Sequence, residues 1–270
     1  MAIISKAIST VLLALSVPAM AADAALPTAP SSAPSYALLA DFSLAAPTII
    51  RATIAKAERI STGNSPGLAA GQTRFLVTAN TSAAIVAPGA VPATLNWLWD
   101  APLDARGKPP KPKGQTIIAW LTAPLPNGQA RLVAAGAQIV WDAATEARIR
   151  AIAVEARSGS VPVITGVTNG FRADGTIPGE SESQFFLSAA DGKGAVLIVT
   201  STPGAARRIA VSRGDIIDES AAIVKPRTLL WYRLACFLPA ALPASAGTDP
   251  ALAADWSAAI ASLGPCDRAN

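Results

Sequence analysis

The side chains with the clearest chemical potential are carboxylates, which cluster at two places in the second half of the chain. The stretch "GESES" contributes Glu180 and Glu182, and "RGDIIDES" contributes Asp215 and Asp218. The chain contains no histidine, so Ser-His-Asp and Cys-His catalysis and histidine-bound zinc are excluded. An enzyme with this sequence would need a carboxylate pair, a Ser-Lys arrangement or a hard metal held by oxygen ligands.

Two interpretations of these acids remain open. Glutamates at positions i and i+2 of a strand share one face, which allows a shared ion but equally suits a solvent-facing edge. Neither stretch has the ligand spacing of a calcium loop, and carboxylate runs without a motif are usually surface features. The sequence therefore favours solvated turns and caps, with a metal site or a histidine-free hydrolase as the alternative. No nucleotide or phosphate-loop signature indicates a cofactor.

A cluster of positive charge occupies the tract "RGKPPKPKGQ", which we call the basic loop. Its cations are Arg106, Lys108, Lys111 and Lys113. The loop could contact an anionic envelope surface or an acidic partner, but its prolines also suit a solvated connection that discourages edge pairing, and we favour the connection. The formal net charge of the whole chain is only +4, which is too weak to indicate nucleic-acid binding.

Two neighbouring tryptophans in "LNWLWD", Trp97 and Trp99, share one strand face with Leu95. Exposed indoles could form a stacking platform for a sugar or a peptide. Such a pair is more often part of a core, in which case Trp120 of "IIAWL" is expected to pack with it.

Both cysteines, Cys236 and Cys266, lie near the C-terminus. An even number of cysteines in an exported protein favours a disulfide, which is expected to stabilise the fold by about 3 to 4 kcal/mol. The apolar run "TLLWYRLACFLPAALP" around Cys236 contains an arginine and two prolines, and it is shorter than the roughly 20 residues of a membrane span. We expect it to be a buried helix. Its predicted core residues are Leu230, Trp231, Leu234 and Phe237, with Trp256 nearby.

The N-terminal residues resemble an export signal. Lys6 precedes a short apolar stretch, and Ala19-Met20-Ala21 follows the small-x-small pattern of signal peptidase. Removal of the signal would lower the net charge from +4 to +3 and leave no transmembrane anchor. The sequence thus predicts a periplasmic or secreted protein.

Turn residues and hydrophobic periodicity divide the rest into predicted units. A β-domain of strands, a small barrel or a sandwich, is followed by an amphipathic helix capped by Asp142, by a β-meander, and by a disulfide-tied helical tail. The predicted boundaries are 1–21 signal peptide, 22–35 Ala/Pro/Ser leader, 36–142 β-domain, 143–158 linking helix, 160–214 second β-region and 215–270 tail. The predicted fold class is mainly β with a few helices.

The order of features in the first domain resembles the OB-type barrel of netrin-like modules. The resemblance rests on a strand entering from "ADFSLAAPTIIRATIAKAERI", then "RFLVTANTSAAIV", a basic loop and the apolar "QTIIAWL". It implies an OB-like barrel over 36–142. The whole chain is also similar to uncharacterised exported proteins of proteobacteria, which implies export but no activity.

Taken together, these sequence features favour a non-catalytic binding or structural module of the cell envelope. The alternative is an enzyme or metal-binding protein that uses the clustered carboxylates. An envelope protein or an anionic surface is the expected kind of partner.

Overall fold

Two antiparallel sheets joined and covered by helices make up the part of the chain that the computed structural model describes, which is residues 33–192, 194–213 and 221–268. The predicted signal peptide, most of the predicted leader, and both Asp215 and Asp218 lie outside these residues. The fold is mainly β, as predicted. No helix within the described residues is both long and apolar enough to cross a membrane.

The first sheet is a five-stranded half-barrel with the strand order β3-β2-β1-β4-β5. A break in register between Ile54 and Lys56 marks a bulge in the long first strand, and such bulges bend a strand and let a sheet curl. The strands of this sheet are β1 (Thr48–Arg59), β2 (Gln72–Val86), β3 (Thr94–Pro102), β4 (Thr116–Leu121) and β5 (Gln138–Val140).

The segment after β4 turns back and reaches the far edge of the half-barrel. Gln129 forms a parallel bridge with Asn96 of β3. The backbone here is close-packed, because a Cβ at Gly128 would lie 2.7 Å from the carbonyl oxygen of Thr94, and the φ of Gly128 is +80°. Only glycine adopts that conformation without strain. This contact links β3, at one edge of the sheet, to the segment that follows β4.

A helix, α1 (Tyr36–Ala45), precedes the first strand where the sequence predicted a strand. Ser35 caps it by accepting a hydrogen bond from the Leu38 amide at 3.2 Å. Leu39 and Phe42 are buried against the sheet, and the Phe42 ring lies 5.4 Å from that of Trp120. The strand prediction for this segment was therefore wrong, because burial on several sides of α1 removes the one-sided period that reveals a surface helix.

The linking helix α2 (Ala143–Arg157) matches its prediction closely. The Asp142 carboxylate accepts a hydrogen bond from the Thr145 amide at 2.8 Å, which confirms the predicted cap. Ile149 and Ile152 are fully buried beside α1 and β4. The helix thus covers part of one face of the half-barrel, which we call the outer face, while Ile50 and Trp97 lie on the opposite, inner face.

The second sheet is a meander whose strands follow one another in the order β10-β9-β8-β7-β6. Helices α3 (Leu229–Ala235) and α4 (Pro250–Leu263) pack on one face of it. Asp249 caps α4 by accepting a hydrogen bond from the Ala251 amide, and Pro250 is the first residue of the helix. The strands are β6 (Ile164–Asp174), β7 (Ser181–Ala189), β8 (Ala195–Ser201), β9 (Arg208–Arg213) and β10 (Ala222–Ile223).

The predicted core around α3 is partly correct. Leu234 and Trp256 are fully buried, and Leu230 and Trp231 are half-buried against the same cores. Phe237 is 45% exposed, so its assignment to the core was wrong. The reason is that α3 ends at Ala235, which takes the next residues off the helical face on which the prediction relied.

The predicted disulfide is present. The Cys236 and Cys266 Cα atoms lie 4.9 Å apart, and the bond joins the end of α3 to the segment after α4. A disulfide is consistent with an oxidising compartment.

Candidate functional site

Of the four carboxylates that suggested a metal site or a hydrolase, the structure describes Glu180 and Glu182. Glu180 lies in the turn before β7, and Glu182 lies within β7, where its Oε1 atom accepts a hydrogen bond from Gln184 Nε2 at 2.8 Å. Asp215 and Asp218 are outside the described residues. Within the described chain, no group of three or more histidine, cysteine or acidic residues is placed to hold a metal.

The basic loop connects β3 to β4, and its four cationic residues are all exposed. The Asp104 carboxylate holds the start of the loop by accepting backbone hydrogen bonds from Arg106 and Lys108, each at 2.8 Å. At its far end, the amide of Gly114 donates to the carbonyl of Ile54. The loop is thus anchored at both ends and presents its side chains to solvent.

The tryptophan pair is divided between the core and a cleft. Trp97 is 2% exposed and its Nε1 atom donates a hydrogen bond to Gln138 Oε1 at 2.8 Å. Trp99 is half-buried and stacks on Phe75, with 5.9 Å between ring centroids. Trp120 does not join them, because β4 directs it to the opposite face of the sheet, against α1. The prediction that Trp120 packs with the pair was wrong.

A cleft of about 950 Å³ lies along β3, between the edge of the half-barrel and the returning segment 122–136. Part of its lining is apolar and exposed: Leu76 at 37%, Leu98 at 49% and Leu125 at 55%. Trp99 lies on the same lining. Exposed leucines gathered in one concave surface are typical of a binding site rather than of ordinary surface.

Charged residues of the cleft are few and partly neutralised. Arg74 of β2 pairs with Asp100 of β3 through two parallel hydrogen bonds of 2.6 and 2.7 Å, the bidentate geometry that makes such pairs strong. Arg131 on the opposite wall is exposed, and its guanidinium contacts no carboxylate among the residues that the structure describes. Asp100 is the one carboxylate among the described residues of the lining.

The edge of β3 in this cleft is only partly paired. The Asn96 amide donates to the Gly128 carbonyl at 2.8 Å, and the Ala130 amide donates to the Asn96 carbonyl at 2.9 Å. Backbone groups alternate in direction along a strand, so the amides and carbonyls of Leu98 and Asp100 point to this same edge. No described residue bonds to them there.

Other polar clusters have structural roles, and the sequence did not predict them. Glu146 of α2 accepts hydrogen bonds from Trp141 at 2.7 Å, from Arg51 at 3.1 Å and from Arg150 at 2.7 Å. Burial alone would raise the pKa of Glu146, but the hydrogen bonds from Trp141 and Arg150 and the charges of Arg51 and Arg150 outweigh it and lower the pKa. The cluster ties α2 to β1 on the outer face.

A second cluster joins α1, α3 and the C-terminal segment. The Tyr232 hydroxyl and the Arg268 guanidinium both donate hydrogen bonds to the Asp41 carboxylate. Burial, followed by the bond to Asp41, raises the pKa of Tyr232 to about 12. A tyrosine with so high a pKa stays protonated at neutral pH and acts here as a hydrogen-bond donor.

The sequence contained one signal for the cleft, the alternation of "LNWLWD", which placed Trp99 on a strand. Arg74, Asp100 and Arg131 could not be grouped without the fold, because they come from different strands and a loop. The chain matches no protein-family model, no curated protein and no solved structure.

Proposed function

We propose that this protein is a non-catalytic binding module of an oxidising compartment such as the periplasm, and that the cleft along β3 is its binding site. The observation that carries the proposal is the composition of the cleft: exposed leucines, a half-buried tryptophan and an open strand edge. Glycoside hydrolysis by carboxylates, one form that a histidine-free hydrolase could take, needs two of them at one site. Asp100, which is bound to Arg74, is the one carboxylate of the described lining. The disulfide supports the choice of compartment.

The test is affinity capture from an envelope extract with the tagged protein and two matched variants. Leu98→Asp places a charge in the cleft, and Phe171→Asp places the same charge on the second sheet at a residue of similar exposure, 57% against 49%. Wild type and Phe171→Asp should retain the same envelope component, and Leu98→Asp should lose at least four fifths of it. If wild type retains no component, or if all three proteins retain it equally, the proposed function is wrong.

A further inference from the structure

The open edge of β3 already receives one added strand segment from the chain itself. Gly128 and Ala130 bond to both backbone groups of Asn96 in a parallel arrangement. Two residues further along β3, the amide and carbonyl of Leu98 have the same orientation, and so have those of Asp100. We propose that the cleft binds an extended peptide as an additional strand on β3 at Leu98 and Asp100, and that a carboxylate of the peptide pairs with Arg131. This inference rests on the proposed binding function.

The chemistry of the edge selects a polypeptide. An open strand edge offers donors and acceptors in alternation at the spacing of a peptide backbone, and strand addition uses them for affinity. A nucleic acid would instead require a strongly basic groove, whereas the described lining has two cations, Arg74 and Arg131, and one anion, Asp100.

The side chains beside the edge define which peptide fits. Side chains of an added strand alternate between the two faces of the sheet. On the outer face they would meet Leu98, which lies opposite Leu76 in the register of β2 and β3. On the inner face they would meet Trp99, whose stacking partner is Phe75. Apolar side chains are therefore expected on both faces of the peptide.

The charge of the cleft adds one polar requirement. Asp100 neutralises Arg74 through the bidentate pair, so the remaining positive charge of the described lining belongs to Arg131. Arg131 follows Ala130, whose side chain packs toward the inner core, and alternation therefore places Arg131 on the outer face. An acidic side chain on the outer face of the peptide complements it.

The probe is a fluorescein-labelled peptide with the core Thr-Leu-Val-Asp-Val-Leu-Thr. The core reads the same in both directions, so it presents Leu, Asp and Leu on one face whether it binds parallel or antiparallel. Fluorescence anisotropy with the full protein measures its affinity. Two methylated versions carry N-methyl groups either on Leu, Asp and Leu or on the two valines and the last threonine.

Strand addition predicts a difference between the two methylated peptides, because only alternate amides face β3. One version should bind at least ten-fold more weakly than the parent peptide, and the other should stay within about two-fold. The set of N-methyl positions that weakens binding also shows whether the peptide runs parallel or antiparallel to β3. Equal affinities of the two versions, whether both retained or both lost, would overturn the strand-addition mode.

Variants of the protein test the contacts that Leu98 and Arg131 are proposed to make with the peptide. Leu98→Pro and Leu98→Ala both shorten the leucine side chain, but only proline removes the amide donor, and proline is tolerated where the amide of an edge strand points outward. Leu98→Pro should bind the probe several-fold more weakly than Leu98→Ala. Arg131→Gln should weaken the parent probe about two- to five-fold and should not affect an Asp→Asn probe. An equal effect of Arg131→Gln on both probes would overturn the proposed pairing between Arg131 and the peptide carboxylate.

The failure of this inference can be separated from the failure of the proposed function. A captured envelope component that depends on Leu98, together with no binding of the probe, would leave the binding module in place and overturn peptide addition. Binding of the probe that is unchanged by Leu98→Asp would place the peptide elsewhere and would also overturn it.

Discussion

Replacement of Asp255 by asparagine is expected to lower the free energy of unfolding by about 3 kcal/mol, because it removes the anion at the centre of a buried polar cluster. Asp255 projects from α4 toward the second sheet. Its carboxylate accepts hydrogen bonds from Ser183 Oγ at 2.7 Å and from Arg207 Nε at 3.2 Å, and it lies 3.7 Å from Arg172 Nη1. The contacts fix α4 against strands β6 and β7.

The size of this loss depends on how well each partner of Asp255 can be hydrated once the carboxylate is removed. The Asp255 side chain is 5% exposed, and Ser183 is fully buried. Arg207 is 46% exposed and can turn toward solvent, whereas Arg172 is 22% exposed and its Nη1 atom has no hydrogen-bond partner among the described residues. The loss of one partner of a buried ion pair costs about 3 to 5 kcal/mol. Since Arg207 can recover hydration, the lower end of this range is expected.

Urea denaturation followed by circular dichroism measures the effect, and a thermal scan should show a decrease of roughly 6 to 12 °C in Tm. Asp174→Asn is the matched control. Asp174 contacts the same Arg172 at 3.1 Å, but it is 83% exposed, so its loss should cost less than about 0.5 kcal/mol.

A compensating variant tests the cause of the loss. Adding Arg172→Met to Asp255→Asn removes the cation that has lost its buried partner, since only the exposed Asp174 still pairs with it, and should restore at least about 1 kcal/mol. The reasoning would be refuted if Asp255→Asn were as mild as Asp174→Asn, or if the second substitution restored nothing.

The other predictions concern the disulfide, acid stability and the basic loop. Reduction of the Cys236–Cys266 bond should lower the free energy of unfolding by about 3 to 4 kcal/mol, and an unchanged urea midpoint in dithiothreitol would contradict this. The lowered folded-state pKa of Glu146 stabilises the fold above the ordinary value of 4.5, and this contribution is lost as the pH falls through the folded pKa. The free energy of unfolding of Glu146→Gln should therefore fall less steeply on acidification than that of the wild type. The same dependence on pH in both proteins would contradict this prediction. For the basic loop, replacing its three lysines with alanine should leave cosedimentation with anionic vesicles unchanged at 0.1 M salt, and a salt-sensitive loss would instead indicate contact with an anionic surface.

Features that depend on a few neighbouring residues could be predicted from the sequence. Asp142 accepts the capping bond that its position before an apolar helical pattern indicated. The strands were recognisable because proline and glycine turns separate them. In each case the physical cause lies within a few residues, so the sequence contains it.

Features that depend on burial from two sides could not be predicted. In β4, Ile117 and Ala119 face one core while Ile118 and Trp120 face another. Both faces of the strand are apolar, so alternation does not reveal which side Trp120 occupies. The same reason explains why α1 was taken for a strand: its buried residues lie on several sides of the helix.

The cleft illustrates a stronger limit, because its defining property belongs to the backbone. Leu98 and Asn96 occupy equivalent positions on the edge of β3. Within the described parts of the chain only Asn96 has a bonding partner there, since the returning segment reaches β3 at Gly128 and Ala130. Where that segment meets the edge depends on a turn 30 residues further along the chain, and on the close approach that Gly128 permits. Side-chain type therefore identified Trp99 as a candidate. The backbone groups of Leu98 and Asp100, which bond to no described residue at this edge and would make the site specific for a peptide, could be recognised only from the tertiary structure.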